Sequence, residues 1–326
     1  MGQEQEIDYN PNKESYSCIG RLEDNYKDLS YEKLKDEIIK SIISIKKHKY
    51  KKIHIKNKLI RKEYQILQKY IDFDTDHLKN LKKSFRDLCR YRDITSYEYN
   101  SIEINTETKY INASPINIYS KSNLIATQGP LPNTIEDFWT MVDQYKCNII
   151  IMLCKLIEEN KQKCAKYWDT KNELKKYEIN IISKEEKYFS KNIIIIRKIK
   201  LINKETKIEK NITQLQYLGW PDNDTPKDNG YFEAFNFMFG QLDKLKGDGS
   251  GIIHCSAGVG RTGTFIATYF LFKEIIEQKN KINLQKINFS VFNIVRKLKE
   301  LRIVMVQNHE QYKFIYDFVK CLLNKM

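Results

Sequence analysis

His254-Cys255-Ser256-Ala257-Gly258-Val259-Gly260-Arg261-Thr262-Gly263 holds the residue types in this chain best suited to covalent chemistry. The apolar run Gly251-Ile252-Ile253 precedes it, and Phe265, Ile266, Tyr269, Phe270 and Ile276 follow at helical spacing. That pattern predicts a strand, a tight loop and an amphipathic helix. A loop that opens a helix leaves backbone N–H groups unpaired at the positive end of the helix dipole, where they cradle anions. Gly258, Gly260 and Gly263 permit the φ > 0 conformations that turn successive N–H groups inward. The same field favours thiolate at Cys255 and makes it a nucleophile. Arg261 can lay a planar fork across two oxygens of a tetrahedral phosphate. Thr262 can offer its hydroxyl to the sulfur as it departs. A structural cysteine in a glycine-rich turn is the plain alternative, and it leaves the company of Arg261 unexplained.

The remaining elements must position this loop. The chain has 326 residues, a net charge of +14 and 41% hydrophobic residues, which fits a folded protein with one large core or two modest ones. Its longest apolar runs, such as Ile149 to Leu153, are strand-sized, and the N-terminus lacks an apolar signal core. Seven scattered cysteines without metal-type spacing point to a reducing, cytoplasmic setting. The basic run of residues 46–58 reads as a solvated helix end and linker, with no nucleic-acid partner expected. Residues 1–29 read as a loose arm. Helices are expected from Ser30 through Leu34, Ile38, Ile42 and Ile45, over Leu59 to Tyr70, and over His77 to Leu88. Tyr110 to Ser114, Leu124 to Thr127 and Asn148 to Cys154 read as strands. Asn133 with Glu136 reads as the cap of a helix through Phe138, Trp139 and Val142. Tyr177 to Leu218 reads as a hairpin meander with turns near Lys184-Glu185-Glu186 and Asn203-Lys204-Glu205. Phe232, Phe235, Phe239 and Leu242 mark one later helix, and Ile287, Val291, Ile294, Leu298 and Leu301 another.

His-Cys-Ser-Ala-Gly-Val-Gly-Arg-Thr-Gly resembles the Cys-x5-Arg signature of the protein tyrosine phosphatases. Four further strings in family order extend that resemblance over roughly residues 58–326. It implies that Cys255 forms a phosphoenzyme and Arg261 clamps phosphate, with Ser256, Ala257, Gly258, Val259 and Gly260 lining the cradle. Cys89-Arg90-Tyr91-Arg92-Asp93 is similar to the substrate loop, with Cys89 where relatives carry Asn. Tyr91 would then set the depth of the pocket, Asp93 hold the substrate backbone and Arg92 favour acidic flanks. Gln128-Gly129-Pro130 and Lys163-Cys164-Ala165-Lys166-Tyr167-Trp168 resemble the structural core, with Tyr167 orienting His254. Glu158 matches the carboxylate that pairs with the clamping Arg, although an exposed loop charge reads equally well there. Trp220-Pro221-Asp222 resembles the mobile acid loop, with Asp222 as proton donor. A phenolate, with a pKa of ~10, leaves poorly unless protonated. Asn223 and Asp224 depart from the family's Phe and Gly, and Val304 from its Gly. Gln307 would hold the hydrolytic water. Gln311 either assists it or, with Asn308, simply caps the last helix.

The resemblance implies one α/β domain: a twisted, mixed sheet flanked by helices, with residues 1–57 as an arm and helical extension. The implied reaction is two-step hydrolysis of protein phosphotyrosine without metal or cofactor. A pseudophosphatase and a dual-specificity or lipid phosphatase are the alternatives; the lysine-free loop and Tyr91 speak against the latter.

Overall fold

The computed structural model describes residues 57–72, 83–118, 123–169, 174–221, 224–228, 230–281, 287 and 289–326. The expected arm, the Ser30 helix, the basic run up to residue 56, and residues 222 and 223 lie outside the described residues, as does the start of the helix expected at His77. Its end, Lys83–Leu88, is a 3-10 helix.

Short apolar runs build the middle of the sheet. Strands β1 (Ala113–Ile116), β2 (Leu124–Thr127) and β3 (Ile149–Met152) come first, with helix α2 (Ile135–Gln144) between β2 and β3 and α1 (Asn57–Asp72) ahead of them all. A small hairpin, β4 (Ile157–Glu158) and β5 (Lys161–Gln162), is followed by β6 (Tyr177–Phe189), β7 (Asn192–Asn203) and β8 (Glu209–Tyr217). Helix α3 (Tyr231–Lys246) leads to β9 (Gly251–His254), and α4 (Gly260–Lys281), α5 (Val291–Leu301) and α6 (His309–Asn324) close the chain.

The seven-stranded sheet runs β1-β2-β9-β3-β8-β7-β6. β2, β9, β3 and β8 pair in parallel, while β1 and the β8-β7-β6 meander pair antiparallel. Ile149-Ile150-Ile151-Met152 and Gly251-Ile252-Ile253-His254 are buried throughout, as parallel strands covered on both faces must be. The mixed, helix-flanked sheet expected above is therefore present.

Several local expectations change. The turn expected near Lys184-Glu185-Glu186 is continuous strand, paired with Arg197, Ile196 and Ile195; the chain reverses instead at Ser190, where φ is +55°. β6 is the sheet edge, so its charges face water and protect the edge rather than break the strand. Tyr110 makes only an isolated bridge with Glu103, and β1 instead begins at Ala113 and tolerates Pro115 because it is the opposite edge. Asn133 does not cap α2: its side chain donates to the Asp87 carbonyl at 3.3 Å, and Thr134 is the N-cap residue. Ile287 precedes α5, which Ser290 caps by accepting from the Asn293 amide at 3.1 Å. Finally, α4 is buried on every side from Gly260 to Leu271, rather than amphipathic from its start. Thr264 and Thr268 bond back to the carbonyls of Gly260 and Phe265, so their burial leaves no orphaned hydroxyl.

α1 packs on α5 and α6 through an unusual carboxylate. Glu63 is 1% exposed and accepts from the hydroxyls of Tyr312 at 2.8 Å and Tyr316 at 2.5 Å. Burial outweighs those bonds and raises its pKa from 4.5 to about 7. The folded chain therefore keeps a proton that the unfolded chain has lost. Its contribution is complete below pH 4.5 and lost as pH rises through about 7, a change of about 3 kcal/mol. Thermal melts between about pH 5 and 8 should show this slope, and Glu63→Gln should flatten it; an equal slope in the variant would remove Glu63 as its source.

Candidate active site

β9 ends at His254, and the next five residues turn into α4. Parallel pairing sets His254 beside Thr127 and Met152, so the loop emerges at the carboxyl ends of three adjacent strands. Gly258 has φ of +73°, and its amide donates to the Cys255 sulfur at 3.3 Å. A Cβ there would lie 2.1 Å from the Thr127 carbonyl oxygen, so the position requires glycine. Gly260 and Gly263 lie inside α4 without positive φ. What they supply is space: a Cβ at Gly260 would come within 3.0 Å of Gln307 Oε1 and Gln311 Nε2, and one at Gly263 within 2.7 Å of the Val306 nitrogen.

Arg302, which the sequence reading did not single out, holds the loop from behind. It is fully buried and donates from Nε to the Gly258 carbonyl at 2.9 Å and from Nη2 to the Ala257 carbonyl at 3.3 Å. Its other contacts are Asn112 Oδ1 at 2.8 Å and Ser114 Oγ at 3.2 Å. Burial lowers its pKa to about 10. Two loop carbonyls are thus pulled outward onto a cation. A charge inside Leu301-Arg302-Ile303-Val304-Met305-Val306 was the available clue, because an ion in so apolar a run must be buried and bonded.

Arg261 is 4% exposed and forms a two-pronged pair with Glu158, Nη1 to Oε1 at 2.7 Å and Nη2 to Oε2 at 2.8 Å. Burial alone would depress the Arg261 pKa, but the Glu158 bonds outweigh it and the net shift is upward. Glu158 is therefore a buried partner, not an exposed loop charge. A cavity of about 390 Å³ lies beside it, lined by residues including Ile157, Leu218, Gly219, Trp220 and Pro221.

Tyr91 is half-buried, with its hydroxyl 3.0 Å from Ser256 Oγ, while Arg92 and Asp93 are exposed. Arg90 and Gln128 staple this segment to the loop. Arg90 donates to the carbonyls of Gly129, Pro130 and Gln162, and its amide donates to Gln128 Oε1. Gln128 Nε2 donates to the Leu88 carbonyl, and the Gly129 amide donates to the Ser256 carbonyl. Cys89 is buried with its sulfur 3.5 Å from the Tyr110 hydroxyl. Lys163 is buried, with its carbonyl 2.9 Å from where a Gly129 Cβ would stand.

The Tyr167 hydroxyl lies 2.9 Å from His254 Nε2, and His254 Nδ1 lies 3.0 Å from the Cys255 carbonyl. Burial lowers the His254 pKa to about 4, so the imidazole is neutral. The Thr262 hydroxyl is buried and has no partner among the described residues.

Asp222 and Asn223 lie outside the described residues, but both ends of their loop are anchored. Trp220 packs on Phe235 and Phe314 and donates from its indole to the Asp224 carbonyl at 2.8 Å. The Asp224 carboxylate, a second acid near the expected donor, is occupied by Lys227 at 2.6 Å and the Thr225 amide, which hold its pKa down. Asn308 caps α6 by accepting from the Gln311 amide at 2.8 Å, while Gln311 Oε1 accepts from the Gln307 amide at 2.9 Å. Both readings of Gln311 are therefore compatible with its geometry. Val304 and Val306 carry φ of +57° and +60°, strained values for β-branched residues, in the segment that brings Gln307 to the loop.

Residues 85–321 match the family model described as protein-tyrosine phosphatase. The chain is 33% identical over 276 residues to tyrosine-protein phosphatase non-receptor type 20 of Rattus norvegicus, covering 82% of this chain and 62% of the relative. It is 34% identical to that of Homo sapiens, with 81% and 62% covered. The chain thus spans about 62% of the length of these curated relatives. The solved catalytic domain of human protein tyrosine phosphatase non-receptor type 18 superposes with a TM-score of 0.71 at 26% identity, covering 82% of this chain and 96% of that one. A PTPN18 chain solved in complex with HER2 phosphopeptides gives 0.73 at 26% identity, with 84% and 96% covered.

Proposed function

The chain belongs to the protein-tyrosine phosphatase family, and on that premise we propose that it hydrolyses phosphotyrosine in proteins through a cysteinyl-phosphate intermediate. The observation that carries this reading is the approach of the Gly258 amide to the Cys255 sulfur, in a loop whose Arg261 fork is squared by Glu158.

Cys255 attacks phosphorus as the bond to the tyrosyl oxygen breaks, and Asp222 protonates that oxygen. Arg261 and the loop amides from Ser256 to Gly260 hold the equatorial oxygens, where charge is spread in the transition state. In the second step Gln307, supported by Gln311, holds a water that loses its proton to Asp222 and attacks phosphorus. The sulfur leaves with Thr262 donating to it. His254, Tyr167, Lys163, Gln128, Glu158 and Trp220 support this machinery. Residues 58–326 form the catalytic domain in this reading, with residues 1–57 as an extension. No helix among the described residues is long and apolar enough to cross a membrane, and six described cysteines are free; both fit a cytoplasmic signalling enzyme acting on phosphotyrosine proteins.

Tyr91 sets selectivity by depth, since a phenyl phosphate spans its height and a seryl phosphate stops short of the sulfur. Asp93 and Arg92, exposed on the same segment, meet the substrate backbone and acidic flanks. Steady-state hydrolysis of matched phosphotyrosine and phosphoserine peptides tests the proposal. Turnover of the first alone is expected; binding without turnover would mean a pseudophosphatase, and comparable rates a dual-specificity enzyme. In the same assay Tyr91→Ala should narrow the tyrosine preference by about tenfold or more. Unchanged selectivity would contradict the depth argument.

A further inference from the structure

Arg197 stands on β7, three strands from the phosphate loop, yet a continuous chain of hydrogen bonds joins it to the Cys255 backbone. It faces Gln214 across the β7–β8 pairing, and its Nη1 donates to Gln214 Oε1 at 2.7 Å and to Gln216 Oε1 at 3.0 Å. Gln214 Nε2 reaches the Tyr167 hydroxyl at 2.6 Å. Tyr167 continues to His254 Nε2, and His254 Nδ1 to the Cys255 carbonyl. Arg197 is 6% exposed, stacked over Trp168 at 4.2 Å, and Gln214, Tyr167 and His254 are fully buried.

Burial makes the direction of each bond obligatory, because water does not reach in to complete a mismatched one. A guanidinium can only donate, so Gln214 must turn its oxygen to Arg197 and its NH₂ to Tyr167. The tyrosine oxygen is then an acceptor on that side, and its single hydrogen goes to His254 Nε2. At the far end the Cys255 carbonyl can only accept, so Nδ1 must carry the imidazole hydrogen. Both ends demand the same polarity.

We propose that Arg197 and Gln214 are positioning residues for the phosphate loop: their one-way bonds hold His254 in the neutral Nδ1–H tautomer, which pins the Cys255 carbonyl. Across a planar trans peptide, a pinned carbonyl directs the Ser256 N–H to the opposite side. In the other tautomer a bare Nδ1 would face the carbonyl oxygen, two acceptors in contact, and the peptide would swing away. This inference rests on donor and acceptor chemistry alone, so it can be read whether or not the proposed reaction occurs.

The test is ¹⁵N–¹H correlation of the His254 ring in the wild type and four variants. The wild type should show Nδ1–H from about pH 5.5 to 8. Gln214→Glu keeps the shape and the Arg197 bond but can only accept, so Tyr167 should turn its hydrogen to the new carboxylate and His254 should switch to Nε2–H. Turnover of a phosphotyrosine peptide should fall about 10–100-fold in kcat with it. Arg197→Met retains the packing on Trp168 without a donor and should give mixed tautomers, whereas Arg197→Lys should restore Nδ1–H. Gln216→Glu adds the same charge beside Arg197 outside the chain and should leave the tautomer unchanged. Retention of Nδ1–H in Gln214→Glu, or an equal switch in Gln216→Glu, overturns the proposal. If Gln214→Glu does not fold, the Arg197→Met and Arg197→Lys pair decides by the same signal: identical spectra overturn it.

Discussion

Cys255→Ser loses turnover, by about 10⁵-fold or more in kcat, while still binding inorganic phosphate. The serine hydroxyl would need a base, and the neighbouring imidazole does not serve as one. His254 is neutral and buried, with Nδ1 on the Cys255 carbonyl and Nε2 on Tyr167, so neither nitrogen addresses the residue-255 side chain. Phosphate binding survives because the cradle is held by groups the substitution leaves alone. Arg302 grips two loop carbonyls, Arg261 is squared by Glu158, and the Gly258 turn depends on its own φ. The measurement is single-turnover release of phosphate from a labelled phosphotyrosine peptide, with phosphate binding by calorimetry. A serine variant retaining more than about 1% of the activity would exclude the covalent route.

Asp222→Ala should slow phosphotyrosine hydrolysis by about 10²–10⁴-fold, the usual share of a general acid. The same variant should barely affect an aryl phosphate whose phenol is already acidic, because that oxygen leaves without a proton. The alkaline limb of the rate profile on phosphotyrosine, where the acid has lost the proton it must donate, should disappear with the carboxyl. Equal losses on both substrates would assign Asp222 a structural role. Asp224, two residues away, is a poor substitute donor: Lys227 and the Thr225 amide favour its ionised form. A compensating Asp224 activity is therefore not expected in Asp222→Ala.

The chemistry was legible where it sits in a short run. The Cys255–Arg261 spacing, the flanking apolar strand and the helical pattern beyond it are local properties, and the structure has strand, loop and helix in that order. Local signals failed where environment decided the outcome. Lys184-Glu185-Glu186 has the composition of a turn but is edge strand, since solvent beside β6 accepts charge without a break in pairing. Asn133 with Glu136 spells a cap, yet a preceding 3-10 turn moves the cap to Thr134. The helix after the loop shows polar threonines at positions that prove to be buried, because hydroxyls bonded to the previous turn cost little inside a core.

By itself the sequence determined the family, the order of strands and helices around the loop, and which residues are chemically able to act. All of these follow from residue type and spacing along the chain. Only the tertiary structure decided that Glu158 is the buried partner of Arg261 and not an exposed loop charge, that Arg302 grips the loop from behind, and that Arg197 reaches His254 through Gln214 and Tyr167. The reason is the directionality of hydrogen bonds: a donor and acceptor separated by many residues have no signature in the chain until a sheet register brings them within 3 Å or so and burial removes water as the alternative partner.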